Sequence, residues 1–532
     1  MTACIRALAL TFAVLAALAA DISPAGSQSA PKRGGSLIIA LENEPSSLAP
    51  HLTTDTPTFM VVDNIYNALV LLDENLQPKP DLAQSWTVSP DGRVYTFELV
   101  RNAKWHDGKP VTAADVEFTF NELIARNHPR AGTWWPNVES AKATDTYTFE
   151  FRLKEPYVPF LTMLGSVLSS SALIMPKHIY EGKDAKTNSA NQAPIGSGPF
   201  KFVRWQRGSF IELARNDQYW KPDKPYLDRV VLQVMPDAAA RFLAFERGEV
   251  DFLHWYIVPY DQLAKLRKDK RFDLVEKGDA AATNGLLLIN HRHAALKDQK
   301  VRQALAYAIN REIISEKALF GESKVARSHV SSNVRWAFTP EFDYKFDPAL
   351  ANKLLDEAGF PKAGDGKRFA LRLFWAAGRD YEGRGAEIIK DNLRDVGIDV
   401  TVQTFDRPSF TDRVYRQWDF DLAMQLFTTG PDPTISVNAR YHTKQILKVP
   451  FVNAMGYSNP ATDALFDNEF KESNTAKRKE MWRDIQKQLM TDLPALPLFE
   501  LPPIHAVSAK FKDVVTGPQG YIEGRESAYE AR

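Results

Sequence analysis

The chain has 532 residues, 66 basic and 66 acidic, and 44% of them are hydrophobic. That length supplies ample core for two or more domains. A formal net charge of +0 leaves no electrostatic footprint for nucleic acid or for an anionic membrane surface, so neither is expected as a partner.

Arg6 precedes an apolar run from Ala7 to Ala20, shorter than the roughly 18 to 20 residues that a spanning helix needs. Pro24 and small residues follow. Residues 1–27 are expected to be a signal peptide, with cleavage after Ala19 or after Ser27. The single cysteine, Cys4, lies ahead of the run and cannot carry a lipid anchor. Its loss with the peptide excludes disulfides, thiolate metal sites and cysteine nucleophiles from the mature chain.

In chain order, a strand is predicted over Ser36 to Leu41, followed by the polar turn Glu42 to His51. This turn is either a proline-punctuated loop or a ligand border, and Asn43 and Glu44 are its candidate contacts. Phe59 to Leu72 has apolar residues at helical spacing. Val94 to Val100 alternates as a strand does, Lys104 to His106 is placed to return, and Asp107-Gly108 reads as a tight turn. Thr112 to Asp115 has the spacing of a capping box at a helix start.

Adjacent Trp134 and Trp135 cannot both face one core easily, so one of them either projects toward a cleft or packs. A strand over Tyr147 to Leu153, an apolar helix over Tyr157 to Val167 and a polar loop over Lys183 to Gln192 come next. Ile195 to Phe200 contains two glycines flanking a serine, which reads as a sharp turn into a strand or as an anion nest. Strands are predicted over Arg229 to Met235 and Phe252 to Tyr256, with a helix over Ala238 to Arg247 between them.

A second α/β unit begins near Leu286, where an apolar strand runs into a helix capped by Asp298. Asp347-Pro348 starts a further helix, which Gly359 ends. Phe369 to Trp375, Glu382 to Val396 and Ile398 to Phe405 form one strand-helix-strand crossover, which implies parallel strands. Asp419 to Leu426 is another strand, and Thr475 to Met490 an amphipathic helix.

Several of these segments resemble the family 5 extracellular solute-binding proteins of ABC transporters, the dipeptide-, oligopeptide- and nickel-binding group. Asp91 to Asn121, DGRVYTFELVRNAKWHDGKPVTAADVEFTFN, is similar to that family's "DG-x-x-Y-x-F-x-L-R…H-DG-x-P-(L/V)-TA-x-DV-x-F" signature. Glu42 to Pro50, Ile65 to Val70, Pro78 to Trp86, Gly196 to Phe200, Asn216 to Trp220 and Val301 to Arg311 resemble its other motifs. The resemblance runs from about Lys32 to about Phe499.

It implies a two-lobed α/β Venus-flytrap fold of the larger, three-part type. The first lobe is expected over residues 28–285 with an inserted subdomain at about 70–195, the second over 286–492, and a return to the first lobe over 493–532. It further implies a periplasmic, monomeric binding protein with no catalysis and no cofactor. One small organic solute is its ligand, and ABC permease subunits in the inner membrane are its partner. Asn284, Trp255, Tyr256 and the segment Phe427-Thr428-Thr429 with Asp432 are the expected ligand contacts, beside Asn43, Glu44 and Trp134.

One departure bears on the ligand. Peptide-binding members carry an acidic residue three positions before the Asp/Glu-Pro pair, where it meets the peptide's ammonium; counting back from Asp432 gives Thr429. A hydroxyl supplies no compensating charge in a desolvated pocket, which argues against ordinary peptides.

Searches for chemistry return little. No phosphate-binding glycine loop, nucleophile elbow or His-Glu-x-x-His helix is present. His291 and His293 on one extended segment read as surface histidines or a weak metal pair. The readings left from other classes are a secreted hydrolase using an unassigned carboxylate pair and a broad-specificity periplasmic peptide scavenger.

Overall fold

Two β-sheets dominate the protein, whose computed structural model describes residues 31–166, 172–522 and 524–531. The expected signal peptide lies outside them. The first sheet has seven strands. Ser36–Leu41 runs parallel to Arg229–Val234 on one side and to Phe252–Leu253 on the other. Phe252–Leu253 is apolar and fully buried, whereas Arg229–Val234 buries Val230 and Leu232 and leaves the residues between them half-buried or exposed.

The second sheet has six strands. Phe369–Ala376 pairs in parallel with Ile398–Phe405, Phe369 opposite Ile398, and the helix Asp380–Asp395 makes the crossover. The predicted strand-helix-strand unit is therefore present. Leu422–Thr428 lies parallel on the other side of Phe369–Ala376 and antiparallel to Thr283–Ile289.

The two bodies are joined twice. Phe272–Glu276 belongs to the seven-stranded sheet and Thr283–Ile289 to the six-stranded one, so residues 277–282 cross. The chain returns between Ala495–Leu501 and Ile504–Ser508, over Pro502 and Pro503. Residues 493–532 thus first add a strand to the second lobe before going back, and the second lobe's first strand starts at Thr283 rather than at Leu286.

A separate four-stranded antiparallel sheet, Ala83–Val88, Val94–Leu99, Thr148–Leu153 and Val138–Ala143, forms a small third body. Val94–Leu99 pairs with Ala83–Val88 and Thr148–Leu153, not with Lys104 to His106. The turn at Asp107-Gly108 closes on itself instead, with Trp105 N donating to Lys109 O at 2.8 Å. Thr112 and Asp115 make the expected capping box, Thr112 N donating to Asp115 Oδ2 at 2.9 Å.

The helix expected over Phe59 to Leu72 is shorter, Thr56–Val62, because Val70–Leu72 is drawn into a two-stranded ladder with Pro78–Pro80. The polar loop Lys183 to Gln192 is tied down by buried Asn188 and Asn191, whose amides donate to Ile179 O and Ala185 O. The Gly196-Ser197-Gly198 turn is a packing device: a Cβ at Gly196 would lie 1.9 Å from Ile65 O. Gly198 N donates to that same carbonyl at 2.7 Å, so its amide is engaged by backbone.

Candidate functional site: the cleft between the lobes

In both lobes, parallel strands deliver their carboxyl ends to one edge, where open α/β sheets bind ligands. Leu41 and Leu253 end adjacent parallel strands, so the residues that follow, Glu42 and His254, meet. His254 Nε2 lies 2.9 Å from Glu42 Oε2. Burial works against the Glu42 anion, but the His254 charge and hydrogen bond outweigh it and hold its pKa down to about 2.

Trp255 and Tyr256 continue this edge, their rings stacked with centroids 3.7 Å apart. Tyr521, from the returning segment, stacks on His254 at 4.8 Å.

The second lobe presents Arg379, Arg407 and Thr429 just beyond the carboxyl ends Ala376, Phe405 and Thr428 of three neighbouring parallel strands. Arg379 Nη1 donates to Glu382 Oε1 at 3.1 Å in the first turn of the crossover helix. Burial opposes the Arg379 charge, yet Tyr381, Glu382 and Tyr256 more than offset it and its pKa is raised. For Arg407, burial and then the Arg379 charge outweigh the support of Glu382, Tyr415 and Tyr381, and its pKa is lowered.

The two edges touch. The Arg379 guanidinium lies 5.7 Å from the Tyr256 ring centroid, and Tyr260 and Tyr381 meet edge to face at 5.7 Å. At the rim, Val158 N of the third body donates to Phe470 O of the second lobe at 2.8 Å, and Lys471 pairs with Glu155 at 2.7 Å.

The residues expected at the ligand separate into three groups. Trp255 and Tyr256 stand at the first lobe's edge. Asn284, Phe427, Thr428 and Thr429 are brought together at the second lobe's hinge end, where Asn284 is opposite Phe427 and Thr283 opposite Thr428. Asn284 Nδ2 donates to Ser328 O at 3.3 Å, while its Oδ1 is buried without a hydrogen-bond partner. Thr428 and Thr283 hydroxyls lie 3.3 Å apart.

The Thr429 hydroxyl is buried and accepts Ser331 N at 3.1 Å.

Asn43, Glu44, Trp134 and Asp432 are elsewhere or otherwise engaged. Asn43 is exposed. Glu44 turns over the neighbouring hairpin, accepting Trp205 Nε1 and Gly208 N, both at 2.9 Å; Glu42, two residues earlier, is the acid of this loop that reaches the edge. Trp134 is buried in the third body between Phe120, Phe160 and Trp135, because the four-stranded sheet needs an aromatic lid. Asp432 is consumed by Arg478, whose Nη1 and Nη2 donate to its two oxygens at 2.7 and 2.8 Å.

Sequence reasoning passed over Glu42, His254, Arg379, Arg407 and Arg440. Arg440 follows the Asp432-Pro433 turn on the short helix Val437–Tyr441 and lays its guanidinium 4.0 Å over the Phe427 ring. The signal for four of the five is positional, since Glu42 and His254 directly follow a strand and Arg379 and Arg407 lie within three residues of a strand's end.

Comparison with known proteins agrees with this architecture. The family model described as "Bacterial extracellular solute-binding proteins, family 5 Middle" matches residues 77–447. The oligopeptide-binding protein AppA of Bacillus subtilis is 29% identical over 482 residues, covering 87% of this chain and 86% of its own. A putative ABC transporter peptide-binding protein of Brucella ovis is 31% identical over 441 residues, covering 81% of this chain and 80% of its own. Among solved structures, NikA from Brucella suis in complex with Fe(III)-EDTA superposes with a TM-score of 0.82 at 27% identity, covering 93% of this chain and 100% of its own. The chain belongs to the family 5 bacterial extracellular solute-binding proteins.

Proposed function

We propose that this protein captures a small organic solute between its two lobes and delivers it to the permease subunits of an ABC importer, with no chemistry done on the solute. The observation that carries this reading is the meeting of the two strand-end edges, Arg379 on Tyr256 and Tyr381 on Tyr260. Contacts of this kind between bodies joined by two short crossings favour a closed form that a solute stabilises.

Family membership and the ligands named for relatives, an oligopeptide and a metal chelate, support a binding role with a variable solute. No helix among the described residues is long and apolar enough to cross a membrane, in keeping with a site of action in the periplasm and a partner that supplies the membrane span. The peptide contacts expected from the sequence are weakened here, because Thr429 stands where the ammonium's partner belongs and Asp432 is held by Arg478.

Native mass spectrometry of the purified protein tests the proposal. A retained small molecule, recovered unchanged after prolonged incubation, is the expected result. Steady conversion of that molecule into products would instead support a hydrolase.

A further inference from the structure

We propose that the solute is an organic anion lacking a free ammonium group, and that its carboxylate pairs with Arg440 in the second lobe; this rests on the solute-binding reading above. Arg440 is 1% exposed. Its Nε and Nη2 have no hydrogen-bond partner, and it makes no ion pair among the described residues. The groups that act on it electrostatically are the phenols Tyr441 and Tyr415, with the His329 imidazole nearby. A guanidinium withdrawn from water without an anion is costly, and the stacking on Phe427 offsets only part of that.

The surroundings repeat the imbalance. Arg407 and Arg379 lie close enough to repel, and the one carboxylate among them, Glu382, is already bonded to Arg379. Across the cleft Glu42 is bonded to His254. Among the described residues, the buried polar atoms left without partners here are mainly donors or hydroxyls, Trp255 Nε1, Tyr260 OH and Tyr415 OH besides the two Arg440 nitrogens, with the amide oxygen Asn284 Oδ1 as the exception.

For an ammonium, the same region offers little. The Thr429 hydroxyl carries no charge and already accepts Ser331 N, and both oxygens of Asp432 are taken by Arg478. Cations and donors are in excess, and the buried carboxylate opposite Asn284, Glu500, already accepts Ser332 N and Oγ, which fits an acid. It does not fit a zwitterionic peptide whose amino end needs an anion.

Calorimetry on the full mature chain, stripped of small molecules, tests this with four probes. N-acetyl-alanylalanine and glutarate carry carboxylates and no ammonium; alanylalanine amide carries an ammonium and no carboxylate; glutaramide carries neither. At least one acid is expected to bind, with both amides far weaker. Arg440→Met should weaken the bound acid on the order of 10- to 100-fold, and Arg440→Lys by less.

The melting temperature of the solute-free Arg440→Met protein should be unchanged or raised, since a merely structural arginine would lower it. The proposal is overturned if neither acid binds, if an amide binds as well as its acid, or if Arg440→Met leaves the acid's affinity within twofold. Tight binding of an amide with compaction of the protein would leave the solute-binding reading standing. Failure of all four probes, together with no retained molecule in native mass spectrometry, would remove both.

Discussion

The Arg379 guanidinium of the second lobe rests 5.7 Å from the centroid of the Tyr256 ring of the first. Because this contact exists only when the lobes are together, it contributes to the closed form and not to either lobe alone. A partly desolvated cation-π contact is worth on the order of 0.5 to 2 kcal/mol. Arg379→Gln should therefore weaken solute binding about 3- to 30-fold, chiefly through faster dissociation. Stopped-flow release of the retained solute measures this, and an unchanged off-rate would remove Arg379 from the closing contact.

Asp432 is expected to act on stability and not on the solute. It shares Arg478 with buried Glu469, whose pKa burial raises to about 7. Asp432→Asn would leave Arg478 with Glu469 as its remaining anion, at a cost of about 1.5 to 3 kcal/mol. Urea unfolding should show that loss while the affinity of the folded fraction changes little. A large affinity loss with normal stability would return Asp432 to the binding site.

Gly285 sits on the crossing strand opposite Phe499, where a Cβ would come within 2.3 Å of the phenyl ring. Gly285→Ala should cost about 1 to 3 kcal/mol by overpacking. Phe499→Leu in the same chain should return part of that, giving a double variant less destabilised than the sum. Strict additivity in chemical denaturation would show that the ring does not carry the penalty.

The Glu42–His254 pair makes acid stability predictable. Glu42 has a folded pKa of about 2 against an ordinary 4.5, so its contribution is present above the ordinary value and disappears as the pH falls from 4.5 toward 2. Above that range the shift corresponds to roughly 3 kcal/mol, shared among His254, the loop's own backbone and Arg241. The stability difference between wild type and His254→Gln should accordingly shrink across that acid range. A difference independent of pH between 7 and 2 would mean that His254 does not hold the Glu42 anion.

Local signals in the sequence were good guides to elements. Thr112 and Asp115 cap a helix because the spacing leaves them little else to do, and the crossover from Phe369 to Phe405 follows from two apolar runs around one amphipathic helix. Lobe boundaries were less legible, since Thr283 and Leu501 belong to strands whose sheet depends on long-range pairing.

The site was harder to see. Asn43 and Glu44 lie in a loop that resembles a family motif and Trp134 is one of two adjacent tryptophans, yet whether their side chains reach the cleft depends on the turn after Leu41 and on the aromatic core of the third body. Asp432 lies in the segment that resembles the family's ligand-contacting region, and its partner Arg478, 46 residues away, leaves no local mark in the sequence. Arg440 carries no local mark at all: its lack of an ion pair among the described residues is a property of packing.

Small-angle scattering tests the central claim, solute capture by lobe closure, most directly. The radius of gyration should be smallest for the protein as purified with its retained solute, rise when the solute is stripped by unfolding and refolding, and fall again when the recovered solute is added back. An identical radius in all three states would contradict closure on a solute.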